Sequence, residues 1–191
     1  GLFRRRYGLP VPAGASPTLA STRSGLFWEK APGGLPVIVD KKRFSGNVFF
    51  VDANTATGGT TSGFGQHPDK AFTDLESAID RPVYADQGDV VFVLPGHTET
   101  VADEITVDVA GVTIIGLGEG LARPTFTQAV AGDCVALDAD SIVFDNFYFN
   151  EATTAPGAGG AAIDVNAAHC KVLNCHFDLG ANDLEAITLT A

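Results

Sequence analysis

The stretch ITVDVAGVTIIGLG, residues 105–118, is followed by VALDADSIVFDNFYF at 135–149, by IDVNAAHCKVLNCHF at 163–177 and by ITLTA at 187–191. These are copies of one pattern, offset by 30, 28 and 24 residues. A unit of that length, built from short apolar runs, buries its apolar side only by stacking on the next copy, so the repeat predicts a solenoid. Ile105, Val135, Ile163 and Ile187 align, and so do Val107, Leu137, Val165 and Leu189, with Thr106, Ala136, Asp164 and Thr188 between them. Such alternation is a strand with one face inward. Asp108, Asp138, Asn166 and Thr190 come next, short polar side chains suited to a turn. A second strand points Val112, Ile142 and Cys170 inward, then Ile114, Phe144 and Val172, and ends at Gly116, Asn146 or Asn174. Gly and Asn best tolerate a positive φ. Beyond them the inward parity flips to Leu117, Phe147 and Cys175, followed by Phe149 and Phe177, as at a corner. Each copy therefore predicts three short strands and two corners, in coils that stack in parallel.

Upstream, the chain reads VFFVDANTATGGTTSGFGQHPDKAFTDLESAID at 48–80 and GDVVFVLPGHTETV at 88–101. Val48–Val51 predicts a strand and Asn54–Gly65 a loop rich in Gly and Thr. Pro68–Asp80 predicts one helix with Ala71, Phe72, Leu75, Ala78 and Ile79 on a stripe. That helix is expected to shield the first coil, which the apolar strand Val90–Leu94 opens. This order of segments, with Asn146 and Asn174 matching an Asn ladder at a corner, resembles the right-handed parallel β-helix of the pectate-lyase-like superfamily over residues 47–191. The resemblance implies an all-β fold: a short right-handed parallel β-helix with an N-terminal capping helix and an extended N-terminal arm. Lyases, hydrolases, adhesins and virus structural proteins share that scaffold, so activity must be argued from the site.

Residues 1–46 form the expected arm, 47–93 the lead-in strand, loop and capping helix, and 94–191 the coils. Of the 191 residues, 45% are hydrophobic, enough for a core, and the 22 glycines suit a turn-rich chain. No apolar run reaches the ~18 residues of a membrane span, and GLFRRRYGLPVPAG at residues 1–14 lacks the apolar stretch of a secretion signal. Charge divides sharply. Residues 1–46 hold eight Lys or Arg and two acidic residues, net +6; residues 47–191 hold four and 21, net −17; together these give −11. A basic arm on an acidic body predicts an arm that reaches for acidic surface and a body kept soluble by repulsion. The arm carries Pro10, Pro12 and Pro17 and little periodicity, and is expected to be extended. Leu2, Phe3, Leu26, Phe27 and Trp28 are its candidate apolar anchors, and Arg4, Arg5 and Arg6 its candidate charged contacts. Docking on a partner is weighed against tucking back onto the same chain. A lone Arg triplet without interleaved aromatics is a poor nucleic-acid signature, so an acidic protein surface is the expected target.

Catalytic and metal patterns are thin. Asp52, Asp69 and Asp89 lack calcium-loop spacing and read as turn residues. His169, Cys170, Cys175 and His176 look like a metal set, but the repeat turns both thiols inward and His176 outward. Three cysteines, Cys134 among them, are an odd count that argues against a disulfide framework and for assembly in a reducing place. A lyase would need a carboxylate cluster on the outer face. Among the outward residues Thr113, Val143, Lys171, Ile115, Asp145 and Leu173, only Asp145 and Lys171 ionise. Asp138 with Asp140, or Asp145 with Asp164, could be proposed as hydrolase pairs but read as corner residues. No catalytic residue, metal or cofactor is expected.

The whole chain resembles the small β-helix proteins encoded among the structural genes of tailed bacteriophages. That resemblance implies a non-enzymatic structural protein of a virion, a capsid decoration, cementing or fibre-type protein assembled in the host cytoplasm. It would be anchored to capsid proteins through its arm, and homo-oligomeric as a dimer or trimer. The unpaired strand edges at ITLTA are expected to be covered by a partner chain or by further sequence. The alternatives are a polysaccharide-binding or polysaccharide-degrading β-helix protein, which would favour a row of exposed aromatics of which Tyr148 is the one good candidate, and a surface adhesin, which would need a secretion signal.

Overall fold

In a computed structural model of the chain, residues 26–30, 36–40, 46–54, 65–81, 85–151, 160–180 and 185–190 are described, the first two segments as backbone alone. Leu2, Phe3, Arg4, Arg5 and Arg6 and most of the Gly- and Thr-rich loop lie outside them.

Twelve strands make four passes through three sheets. The first pass is β4 (Val90–Val93), β5 (Thr98–Val101) and β6 (Ile105–Val107). The second is β7 (Thr113–Gly116), β8 (Thr125–Gln128) and β9 (Val135–Leu137), and the third is β10 (Val143–Asp145), β11 (Tyr148–Glu151) and β12 (Ala161–Val165). The fourth is β13 (Lys171–Leu173), β14 (His176–Asp178) and β15 (Glu185–Leu189). With β3 (Val48–Val51) at one edge, the sheets run β3-β4-β7-β10-β13, β5-β8-β11-β14 and β6-β9-β12-β15. Every pairing in them is parallel. This all-β course is compatible with the expected parallel solenoid.

The register follows the repeat. Ile105 pairs with Val135, Val135 with Ile163 and Ile163 with Ile187. Ile114, Phe144 and Val172 form a second row, and Phe126, Phe149 and Phe177 a third. Inside, Phe144 and Phe147 lie 4.3 Å apart by ring centroid, and Phe149 stacks on Phe177 at 5.4 Å. One contiguous core therefore runs through all four coils.

Corners are set by left-handed residues. Asn146 (φ 70) and Asn174 (φ 51) take that conformation, and the parity flip puts Phe147 and Cys175 toward the core. Gly116 does not have a positive φ, contrary to expectation. A Cβ there would stand 2.3 Å from the Asn146 carbonyl oxygen, so close backbone approach is what demands glycine. Without the flip, the ladder continues through the Leu117 amide, which donates to the Val93 carbonyl. Leu117 therefore faces outward and joins a small outer cluster of Phe50, Ala71, Val90, Phe92 and Leu94, correcting its inward assignment. A longer corner with Gly118 (φ 111), Gly120 (φ 57) and a 3₁₀ turn at Gly120–Ala122 delays the reversal, and Phe126 fills the inward place. The other corner has its own left-handed column, Gly111 (φ 75), Ser141 (φ 63) and His169 (φ 62). The Gly111 amide donates to Asp140 and the Ser141 amide to Ala168, coil upon coil.

The expected single helix at Pro68–Asp80 is instead a 3₁₀ turn, Pro68–Lys70, and a short helix α1, Leu75–Ile79. Phe72 is the reason. Its amide donates to the Phe50 carbonyl and its carbonyl accepts from Asp52, a parallel bridge that forces extended backbone. Asp74 then restarts the helix by accepting from the Ser77 amide. Leu75, Ala78 and Ile79 join the core beside β3, β4 and β6.

Within the arm, β1 (Leu26–Lys30) pairs antiparallel with β2 (Pro36–Asp40), Phe27 opposite Val39 and Trp28 opposite Ile38. This stretch is thus a paired ladder rather than a lone extended strand. Its run Val37-Ile38-Val39 is of the type that favours a pleated partner.

Phe147 is fully buried, 5.4 Å from Phe126 and 4.3 Å from Phe144. Phe147→Ala should cost about 3–5 kcal/mol in a denaturant titration. A loss under about 1 kcal/mol would mean that the corner register is wrong.

Candidate interaction site

Six of the 21 acidic residues of the body are inter-coil acceptors. Asp138 Oδ1 accepts from Asn166 Nδ2 at 2.9 Å, Asp140 Oδ1 from the Ala168 amide at 3.0 Å, and Asp145 Oδ1 from Asn174 Nδ2 at 2.8 Å. Asp133 Oδ1 accepts from the Ala161 amide at 2.7 Å, Asp164 Oδ1 from Thr190 Oγ1 at 2.9 Å, and Asp178 Oδ2 from Tyr148 Oη at 2.9 Å. Each bond ties one coil to its neighbour. This geometry explains why Asp138, Asp140, Asp145 and Asp164, weighed above as hydrolase pairs, stand where they do. The Asn ladder differs in detail from a simple stack. Asn146 Nδ2 donates to the Gly116 and Gly118 carbonyls, whereas Asn174 reaches Asp145 rather than Asn146.

A buried polar pair sits under the lead-in segment. His97 is fully buried, and its Nδ1 accepts from the Ala53 amide at 2.9 Å. That bond places the ring proton on Nε2, which donates to Glu99 Oε2 at 3.1 Å. The same oxygen accepts from the Leu75 amide at 3.1 Å, at the start of α1. Glu99 pairs with Phe126 in register, so it holds an inward place that other coils give to Phe. The pair joins the first coil, the Asp52–Asn54 turn and the helix. The ring has no exposed surface, and its hydrogen bonds link these three segments. Neither residue was singled out from the sequence. The available signal was parity, because alternation from inward Val101 puts the charged Glu99 inward too.

The remaining candidates are dispersed. Cys170 and Cys175 pack against the core as the repeat required, while His169 holds a left-handed corner and His176 lies outside, 5.3 Å from Tyr148. Asp89 is buried and accepts from the Asn47 amide and side chain, Asp52 accepts from Asn54, and Asp69 is exposed. Among the described residues, no three His, Cys, Asp or Glu side chains converge on a metal position. Burial pushes the Cys134 thiol up to about 12. Burial, then the like charges of Asp133, Asp138 and Asp164, raises Glu104. Burial also raises Glu76, with Asp80, Asp74 and Glu99 adding to it. Asp74 goes the other way: burial pushes it up, but hydrogen bonds from Ser77 and Thr73 prevail.

Among the described residues, the exposed large apolar side chains are Leu121, at the second coil's long corner, and three residues of the fourth coil. Leu189 is 77% exposed, Leu173 42% and Ile187 40%. Ile187 and Leu189 belong to inward rows, so they are core side chains without a following coil among the described residues. Among the described residues, β13, β14 and β15 each pair with one neighbouring strand. Of the arm residues expected to bind a partner, Leu26, Phe27 and Trp28 lie on β1, and Leu2, Phe3, Arg4, Arg5 and Arg6 fall outside the described residues. No described helix is long and apolar enough to cross a membrane. Comparisons with protein-family models, with curated proteins and with solved structures return no match.

Glu104 binds its proton more tightly in the folded chain than in the unfolded one. Its contribution to stability is therefore present below its ordinary value of 4.5 and lost as the pH rises through the raised folded value. Glu104→Gln should raise the melting temperature at pH 7, and the gain should vanish below about pH 4, where both forms are neutral. An unchanged or lower melting temperature at pH 7 would show that neither burial nor the neighbouring carboxylates disfavour the Glu104 charge.

Proposed function

We propose that this chain is a non-enzymatic structural protein of a viral particle, related to the right-handed β-helix proteins of the pectate-lyase-like superfamily and to those of tailed bacteriophages. It would act as a capsid decoration, cementing or fibre-type protein. The observation that carries this reading is the division of charge, net +6 over residues 1–46 against net −17 over residues 47–191. An arm rich in Arg and apolar anchors suits insertion into neighbouring virion proteins, with Leu2, Phe3, Leu26, Phe27 and Trp28 as anchors and Arg4, Arg5 and Arg6 as charged contacts. The coils serve as a rigid acidic block outside, with α1 as a cap for the first of them. Stacked coils resist local opening because each is hydrogen-bonded to its neighbours. Dimers or trimers would bury the free edges. Assembly takes place in the host cytoplasm, consistent with three unpaired thiols.

A second reading, polysaccharide binding, draws on the outer face of β5-β8-β11-β14. There Tyr148 stands beside His176 in a row with Thr98 and Thr125. A single aromatic pair is a short platform for a sugar chain, and the arm has no part in that reading.

Deleting residues 2–28 should abolish incorporation into particles and leave a β-rich body that unfolds cooperatively. Full occupancy by the truncated protein, counted by electron microscopy of the assembled particle, would refute the anchoring role of the arm.

A further inference from the structure

We propose that His97 is an acid-sensitive latch: neutral, it holds the Asp52–Asn54 turn against the first coil, and on taking up a second proton it releases that turn. The proposal goes beyond the structural reading above and does not depend on it.

One bond of the ring tolerates protonation and the other does not. A neutral imidazole has one N–H and one bare nitrogen. Here the bare nitrogen is Nδ1, which accepts from the Ala53 amide at 2.9 Å, while Nε2 donates to Glu99 Oε2 at 3.1 Å. An imidazolium carries N–H on both nitrogens and accepts nothing. Its Nδ1–H would meet the Ala53 N–H donor against donor, so that bond is lost. Turning the ring over restores no acceptor. The Glu99 bond is kept and becomes charge-assisted at both ends. Glu99 is itself fixed, because the same oxygen accepts from the Leu75 amide at 3.1 Å. The ring therefore stays with Glu99, and the turn gives way.

The turn is built to move. Backbone pairing of the lead-in segment reaches Asp52, whose amide donates to the Phe72 carbonyl at 2.7 Å. Ala53 and Asn54 are exposed, yet the Ala53 amide reaches a ring with no exposed surface. A second link to the first coil, Asn54 Nδ2 to the Gly96 carbonyl at 3.2 Å, is open to water and so holds less firmly. Asn54 also donates to Asp52 Oδ1 from its amide and its side chain, which keeps the turn together as a unit.

The charges around the ring suit a proton taken up in place. Glu99 on β5 is in contact, and Asp74 at the start of α1 is near enough to feel the ring's charge. Glu76 on α1 and the Cys134 thiol feel Glu99, and Asp52 lies in the turn itself. Phe126 of β8 meets the ring edge-on at 5.9 Å and carries no charge, and Arg81, past α1, stands over the Phe72 ring. Glu99 and Asp74 supply the counter-charge that a buried imidazolium needs, so the latch opens while the coils stay closed.

The test is amide hydrogen exchange by nuclear magnetic resonance on the full chain, corrected for the intrinsic rate at each pH. Protection of the Ala53 amide should fall at least about tenfold between about pH 7.5 and about pH 5, the range in which a histidine changes charge. The Leu75 and Phe144 amides should keep theirs. In His97→Asn, whose side-chain oxygen offers an acceptor that does not titrate, Ala53 protection should be flat over the same range. The ring supplies a check within the wild-type protein: its Nδ1 signal should pass from bare to protonated over the pH range in which Ala53 loses protection. Constant Ala53 protection, loss shared by all three amides, a fall that persists in His97→Asn, or an Nδ1 signal that moves in a different pH range would each overturn the proposal.

Discussion

Parallel stacking of one coil on the next is the constraint on which the rest of this structure depends. A three-residue strand such as Ile105–Val107 or Lys171–Leu173 has too few backbone bonds and too little apolar area to persist alone. Its amides and its inward side chains are satisfied only by the strands above and below. The column of Phe126, Phe149 and Phe177 and the row of Ile105, Val135, Ile163 and Ile187 are the same requirement expressed in side chains. Where one coil differs, the fold adjusts locally. The corner after Gly116 is longer than the one after Asn146, yet Phe126 still arrives under Phe149.

Charge is arranged around that stack. Six of the body's 21 carboxylates accept hydrogen bonds from a neighbouring coil, so that part of the negative charge takes part in the stacking. Burial first, and then the like charges around them, hold the Glu104 and Glu76 carboxyls above the ordinary range. Eight of the twelve Lys and Arg residues lie instead in residues 1–46.

Most of the register was legible in the sequence, because parallel stacking places equivalent positions directly over one another and the repeat can be aligned by eye. What escaped were features where one residue overrides a pattern. Leu117 follows a glycine that lacks the left-handed turn, so its parity never flips. Phe72 sits on the apolar stripe of a helix but is drawn into a bridge with Val51, and the helix breaks around it. Gly111, Ser141 and His169 share a left-handed corner despite having nothing in common chemically, so composition could not flag them. The His97–Glu99 pair was hidden because an inward carboxylate makes sense only once its partners, Ala53 and Leu75, are known to fold over it. The candidate site was less legible than the fold. Residues 1–46 and 47–191 announce opposite charge, but Leu2, Phe3, Arg4, Arg5 and Arg6 lie outside the described residues.

The most direct test of the account is the mass and appearance of the native protein purified from its source, by mass measurement together with electron microscopy. The account predicts that the protein is found within a symmetric particle, in fixed stoichiometry with other structural proteins. A free monomer with no co-purifying partner would contradict it.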